Sequence, residues 1–188
     1  MAIPCPDDVP DEVAVLADPF SVALHSVVRN PPPPGGKVLV YGIGALGLST
    51  LAVLAKLHPT VEVGAIVRWQ HQADAAERHG AKAFFHSPPE TLVDEVADWA
   101  RAKLYKPWEG LPMTFPGGVD VVYDTVADPV TLEVSVRLLR ARGRMVLTGV
   151  SKSNRFEWSP WYFKELNLIG SNAFGVEDVE GVRKHAIS

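Results

Sequence analysis

The stretch Gly42-Ile43-Gly44-Ala45-Leu46-Gly47 decides the predicted fold of this chain, because it lies between two apolar segments. Residues 37–41 (Lys-Val-Leu-Val-Tyr) are rich in β-branched side chains and predict a strand, whereas residues 48–56 predict an apolar helix. A GxGxxG spacing alone is a weak signal. A strand, these glycines and a helix in that order are much more typical of a dinucleotide-binding turn.

Each glycine of the turn has its own structural role, which explains the spacing. Gly42 permits a tight turn, Gly44 lets the backbone approach a pyrophosphate, and Gly47 lets the helix pack closely on the strand. The phosphates would meet free N–H groups and the positive end of the helix dipole. The alternative is a glycine-rich turn that binds nothing. We predict that the whole turn contacts a dinucleotide, through Gly42, Ile43, Gly44, Ala45, Leu46 and Gly47.

Strand and helix patterns alternate along the rest of the chain. Capping residues and prolines predict helix starts at Asp18-Pro19, Ser87-Pro88-Pro89-Glu90, Asp128-Pro129 and Ser159-Pro160, and residues 177–185 predict a last helix. This alternation predicts an α/β fold, a doubly wound parallel six-stranded Rossmann sheet with helices on both faces. The predicted strands are residues 37–41, 61–67, 81–85, 119–123, 144–147 and 166–169.

Composition and charge limit the possible partners. The net charge of −4 comes without a basic stripe, so neither nucleic acid nor a membrane is an expected partner. Residues 38–55 carry no charge, but their glycines and β-branched side chains fit a buried strand and helix better than a membrane span. The single cysteine excludes a disulfide within the chain and a Cys-rich zinc site. We expect a cytoplasmic location, because acidic residues interrupt any apolar leader.

The end of the second predicted strand bears on the choice of cofactor. NAD-binding sheets usually place an acidic residue there, which accepts a hydrogen bond from the ribose 2′-hydroxyl. Ile66 and Val67 offer no acceptor, and Arg68 follows with a guanidinium group that suits a 2′-phosphate. We therefore predict NADP in preference to NAD, with Arg68 as a binding residue. The alternative places Arg68 across the adenine ring or in solvent.

Further site residues are predicted from the sheet itself, since ligands of open α/β sheets lie beyond the carboxyl ends of the strands. The residues that follow strands four, five and six are the predicted walls around the ribose and nicotinamide. They are Thr125 and Val126, Thr148, Gly149 and Val150, and Ser171 and Asn172. The six histidines show no metal-ligand spacing, so surface or capping roles are expected for them. No nucleophile elbow is present, and no catalytic residue is predicted.

Three longer runs carry a resemblance to a known family. Residues 16–25 (Leu-Ala-Asp-Pro-Phe-Ser-Val-Ala-Leu-His), which lead into the glycine turn, and residues 142–150 resemble the zinc-type medium-chain alcohol dehydrogenases. Residues 161–171 (Trp-Tyr-Phe-Lys-Glu-Leu-Asn-Leu-Ile-Gly-Ser) are similar to a segment of sorbitol and threonine dehydrogenase-like members. The resemblance covers nearly the whole chain, but only the cofactor-binding portion of such an enzyme.

The resemblance implies hydride transfer between an alcohol or carbonyl substrate and NADP(H), with zinc held by a catalytic domain outside this chain. The resemblance implies that residues 1–36 are a lead-in and connecting helix from that domain. It implies that residues 37–175 are the Rossmann domain and that residues 176–188 are the start of a truncated C-terminal helix. Asp18 matches an acidic zinc ligand of polyol dehydrogenase-like members, a role expected only in a full-length protein. The isolated chain is expected to be inactive.

Two further implications concern the cofactor and the assembly. NAD-binding members of the family carry Asp where this chain has Val67, which agrees with a preference for NADP. Family dimers often pair the edge strands of their cofactor domains, which implies a homodimer through residues 166–169. Two other functions stay open: a naturally short NADP(H)-binding module without turnover, and a zinc-free relative of the quinone reductases.

Overall fold

A computed structural model describes residues 5–107, 110–150, 155 and 157–187. Its main sheet has six parallel strands in the order β3-β2-β1-β6-β7-β8. These strands are β1 (Lys37–Tyr41), β2 (Glu62–Ile66), β3 (Ala83–Phe85), β6 (Val119–Asp124), β7 (Leu139–Leu147) and β8 (Asn167–Gly170). Between β3 and β6, the short strands β4 (Leu104–Tyr105) and β5 (Met113–Thr114) pair antiparallel in a separate small sheet.

Helices cover both faces of the main sheet. They are α1 (Asp11–Ala14), α2 (Ala17–Arg29), α3 (Ala45–Leu57), α4 (Gln70–Arg78), α5 (Pro89–Ala100), α6 (Pro129–Leu138) and α7 (Ser159–Lys164). Alternate residues of β1 belong to opposite cores: Val38 and Val40 lie in the cluster with α2, α3 and α4, whereas Leu39 lies with α5 and α6. The predicted fold class, a six-stranded doubly wound parallel sheet with helices on both faces, is confirmed.

The order of the strands places the functional region. The chain moves outward from β1 through β2 to β3 on one side, and β6 then pairs with β1 on its other side. A crevice opens at such a switch point beyond the carboxyl ends of the strands. The glycine turn follows β1 directly and therefore lies in this crevice.

The predicted last helix over residues 177–185 is wrong. This segment is a hairpin of β9 (Val176–Val179) and β10 (Val182–His185), with Val179 opposite Val182. The loop residues Glu180 and Gly181 have φ values of 53° and 81°. Positive φ at both positions of a two-residue loop suits a tight hairpin and interrupts a helix.

Two of the predicted helix caps are also wrong. Helix α2 begins at Ala17 after Leu16, so Asp18 lies exposed within the first turn and does not cap it. Helix α5 begins after Pro88, and the Ser87 hydroxyl instead donates to Glu95 Oε1 at 2.6 Å. The Asp128 cap of α6 is confirmed, because its carboxylate accepts from the N–H of Thr131 at 2.9 Å. Boundaries of this kind depend on packing that sequence spacing does not show.

Within the described residues, no helix has the length and apolar content that a membrane crossing requires.

Candidate dinucleotide site

The three glycines of the turn between β1 and α3 differ in the space that a side chain would find at each of them. A Cβ on Gly42, whose φ is +89°, would lie 2.3 Å from Val126 Cγ2, and a Cβ on Gly47 would lie 2.0 Å from the carbonyl oxygen of Gly42. A Cβ on Gly44 would meet nothing within 4 Å. Gly42 and Gly47 are therefore required by close packing, whereas Gly44 borders open space in which a phosphate group fits.

The first turn of α3 presents unpaired donors to this space. Its N-cap residue is Gly44, which has no side chain to accept a hydrogen bond, and the first helical bond runs from the N–H of Leu48 to the Gly44 carbonyl. Across the described part of the chain, no acceptor meets the N–H groups of Ala45, Leu46 or Gly47. Free N–H groups and the helix dipole together make such an end suitable for an anion.

The turn forms one wall of an open cleft of about 720 Å³ at the carboxyl ends of the parallel strands. This volume lies in the range of small-molecule and cofactor sites, about 300–1,000 Å³. The structure brings nine of the residues predicted to bind the cofactor together along this cleft. They are Gly42, Ile43, Gly44, Ala45, Leu46, Gly47, Arg68, Thr125 and Val126.

The other five predicted residues do not line the cleft. Thr148 is buried and its hydroxyl donates to the Asp124 carbonyl at 3.1 Å, and a Cβ on Gly149 would lie 2.6 Å from the Val126 backbone. Val150 is 94% exposed, Asn172 is exposed, and Ser171 is buried, its hydroxyl without a hydrogen-bond partner among the described residues. Their contact with a cofactor remains a prediction.

Nine lining residues were not predicted to bind the cofactor. They are Tyr41, Ile66, Val67, Gln72, His86, Ser87, Asp128, Val130 and Thr131. His86 and Ser87 directly follow β3, so the rule that selected the ends of strands four to six applies to them as well. The exposure of His86 agrees with the surface role expected for it, but its position at the cleft was not predicted. Asp128 and Thr131 belong to the α6 cap, where only a helix start was expected.

Arg68 lies exposed at the rim of the cleft, next to the end of β2. Its N–H donates to Gln72 Oε1 at 2.8 Å, which fixes the backbone at the start of α4. The guanidinium Cζ lies 5.5 Å from the ring centroid of Trp69, a cation–π distance. The charged group of Arg68 therefore stays close to the cleft without a carboxylate partner among the described residues.

The side opposite Arg68 is held by hydroxyl contacts. Thr125 Oγ1 lies 2.9 Å from the Tyr41 carbonyl oxygen and 2.7 Å from that of Gly42, so the loop after β6 is tied to the glycine turn. Burial, with the nearby charges of Asp124 and Asp128, raises the pKa of Tyr41 to about 12. Tyr41, which also lines the cleft, therefore stays neutral at physiological pH.

The described residues do not form a zinc site by themselves. Asp18, the one predicted metal ligand, is exposed on α2. Over the described ranges, no three His, Cys, Asp or Glu side chains come together as metal ligands. The zinc role of Asp18 stays a prediction for a longer protein.

Residues 42–187 match a family model described as zinc-binding dehydrogenase, and the chain belongs to this family. The resemblance to zinc-type medium-chain alcohol dehydrogenases is thereby confirmed. The chain is 30% identical over 166 residues to D-arabinitol dehydrogenase 1 of Uromyces fabae, which spans 87% of this chain and 44% of that relative. The chain thus spans less than half the length of such curated relatives.

Solved structures show the same fold with two different cofactors. A putative zinc-binding dehydrogenase from Sinorhizobium meliloti, bound to NADP, is 29% identical, with a TM-score of 0.63 over 85% of this chain and 44% of that one. A short chain alcohol dehydrogenase from Escherichia coli, complexed with NADH, is 23% identical, with a TM-score of 0.72 over 92% of this chain and 47% of that one. The same fold is thus found with either cofactor.

Proposed function

We propose that this chain binds NADP(H) in the cleft at the glycine turn, as the cofactor-binding part of an alcohol or polyol dehydrogenase. The observation that carries the proposal is the uncapped start of α3, where three N–H groups find no acceptor in the described part of the chain and lie beside the open side of Gly44. A pyrophosphate supplies the negative charge and the acceptor oxygens that these groups need. Family membership supports the same assignment.

The preference for NADP over NAD rests on the end of β2. Val67 is only 8% exposed and has no polar side-chain atom, so it cannot accept a hydrogen bond from a ribose 2′-hydroxyl. The guanidinium group of Arg68 lies at the same rim, and no carboxylate among the described residues pairs with it. A 2′-phosphate is the group that this charge suits best.

The bound nicotinamide cofactor supplies hydride exchange with an alcohol or carbonyl substrate. This chain binds and orients the cofactor. The α3 turn holds the pyrophosphate, Arg68 binds the adenosine end, and the opposite wall consists of Thr125 and Val126. The zinc and the substrate pocket belong, in this proposal, to the part of the relatives' length that this chain does not match.

We further propose a homodimer through β8. This strand forms one edge of the main sheet and pairs only with β7 among the described strands. Asn167–Gly170 therefore presents unpaired backbone groups, which a second copy can pair.

Calorimetric titration of NADPH and NADH into the chain and two variants tests the proposed cofactor. Arg68→Ala removes the charge at the rim, and Arg78→Ala removes an exposed arginine at the far end of α4 as a matched control. A charge-assisted contact contributes roughly 1.5–3 kcal/mol, so NADPH affinity should fall by about tenfold to a hundredfold in Arg68→Ala.

NADH affinity should stay within about twofold in both variants, as should NADPH affinity in Arg78→Ala. Equal weakening of NADPH and NADH by Arg68→Ala would show that the arginine does not read the 2′-phosphate. Absence of binding by either cofactor would overturn the proposed function itself.

A further inference from the structure

Asp124 is a fully buried carboxylate directly behind the wall of the cleft. It ends β6, has 0% of its surface exposed, and is not among the residues that line the cleft. Its Oδ1 accepts hydrogen bonds from the N–H groups of Val126 and Ala127, both at 2.9 Å. Its Oδ2 accepts from the Thr131 hydroxyl at 2.7 Å. Every contact of this carboxylate therefore goes to the segment that leads from β6 into α6.

The cost of burying this charge indicates that its position matters. Burial raises the pKa of Asp124, and the hydrogen bonds from Ala127, Thr131 and Val126 act in the opposite direction. An apolar residue would avoid the desolvation but deprive the N–H groups of Val126 and Ala127 of the acceptor that they have here. The carboxylate thus exchanges a desolvation cost for a fixed loop conformation.

The loop that Asp124 holds packs against Gly42 and Gly149 so closely that neither position has room for a side chain. Val126 Cγ2 occupies the position that a side chain on Gly42 would need, and the Val126 backbone occupies the position that a side chain on Gly149 would need. Ala127 has a φ of 60°, an unfavourable conformation for a residue with a Cβ. The hydrogen bonds that the loop donates to Asp124 compensate for this strain, and their loss would allow Val126 to move at the cleft.

We infer that Asp124 is a positioning residue for dinucleotide binding, because it fixes Val126 and Thr131 as the cleft wall opposite Arg68. This inference rests on the proposed NADP(H) binding. Asp124 does not touch the cofactor. It acts through the two residues that line the cleft and through the loop that contacts the glycine turn.

Two substitutions of Asp124 separate the effect of its charge from the effect of its hydrogen bonds. In Asp124→Asn, the amide oxygen can accept from both N–H groups while the amide nitrogen donates to Thr131 Oγ1. The Thr131 hydroxyl can then donate to the Asp128 carbonyl oxygen, which lies 3.2 Å away. Asparagine therefore satisfies every partner without a charge, whereas alanine leaves the N–H groups of Val126 and Ala127 without their acceptor.

The test measures NADPH affinity and backbone amide hydrogen exchange in four proteins: wild type, Asp124→Asn, Asp124→Ala and Val93→Ala. Val93 is fully buried in α5, away from the cleft, and its truncation is a control for lost packing. We expect Asp124→Asn to bind within about threefold of wild type, and Asp124→Ala at least tenfold more weakly. In the cofactor-free protein, exchange at Val126 and Ala127 should accelerate in the alanine variant alone.

Wild-type affinity in folded Asp124→Ala would overturn the inference, as would an equal loss in Val93→Ala at a matched thermal midpoint. If Asp124→Ala does not fold, Asp124→Ser replaces it, since a serine hydroxyl reaches the nearby N–H groups but not Thr131. An affinity between those of wild type and a nonbinder then supports the role, and wild-type affinity contradicts it. Failure of wild type to bind either NADPH or NADH would instead overturn the proposed function, and this role with it.

Discussion

At the scale of single residues, the sequence predicted positions whose chemistry depends on local geometry. The three glycines of the turn are where their spacing placed them, since a tight turn and close packing leave no room for a Cβ on Gly42 or Gly47. Residues whose burial depends on the packing of neighbouring elements were not predicted in the same way. Nothing local marks Asp124 as a buried acceptor for Val126, Ala127 and Thr131, because its burial follows from α6 packing over β6.

Lys164 is another buried charge that sequence analysis did not find. It ends α7, is fully buried, and donates through Nζ to the carbonyl oxygens of Val136 at 3.0 Å and Arg137 at 2.9 Å. It therefore caps the last turn of α6, whose carbonyls lack helical partners. Burial, with a smaller contribution from the Arg137 charge, lowers the pKa of Lys164 to about 7.

This pKa predicts a pH dependence of stability. In the unfolded chain Lys164 keeps its proton up to its ordinary pKa of 10.5, whereas in the folded chain it loses the proton near pH 7. Between these values the unfolded state binds more protons, so the free energy of unfolding rises with pH, by at most about 1.4 kcal/mol per pH unit. Urea unfolding from pH 7 to 9 should show this rise in wild type relative to Lys164→Met. Parallel pH profiles for the two proteins would show that Lys164 stays charged when buried.

At the scale of elements, strands were predicted better than helix boundaries. Short β-branched runs such as Lys37–Tyr41 predict a buried parallel strand, because both faces of such a strand are covered and must be apolar. The hairpin of β9 and β10 was missed, since its alternation of apolar and charged residues is short. The predicted helix ran through Glu180 and Gly181, although a glycine there is typical of a tight turn. His86 and Ser87 were within reach of sequence analysis, because the rule on carboxyl strand ends applies to β3 as well.

At the scale of the whole molecule, the strand order creates the cleft. Since β6 pairs with β1 on the side opposite β2, the glycine turn has the end of β2 on one side and the loop after β6 on the other. Alternating strands and helices predicted this architecture, but not which five of the predicted residues would fall outside the cleft. Thr148 and Gly149 follow β7, one strand further from the turn, and lie behind Val126.

The proposed homodimer is also a property of the whole molecule. Replacing Ile169, which is partly exposed on β8, with lysine places a charge on the edge that a second copy would pair. Analytical ultracentrifugation should give a dimer mass for wild type and a monomer mass for Ile169→Lys. Val182→Lys, on exposed β10 outside the main sheet, should leave the dimer intact. A monomeric wild type, or a dimer that survives Ile169→Lys, would contradict pairing through β8.

Calorimetric titration of NADPH into Gly44→Val and Gly170→Val tests the central claim, cofactor binding at the start of α3, most directly. A Cβ on either glycine meets no atom within 4 Å beyond its chain neighbours, so we expect both variants to fold. The Gly44 side chain would occupy the space of the pyrophosphate, whereas Gly170 lies on β8, outside the cleft. We expect at least a tenfold loss of NADPH affinity in Gly44→Val and wild-type affinity in Gly170→Val. Unchanged affinity in a folded Gly44→Val would contradict it.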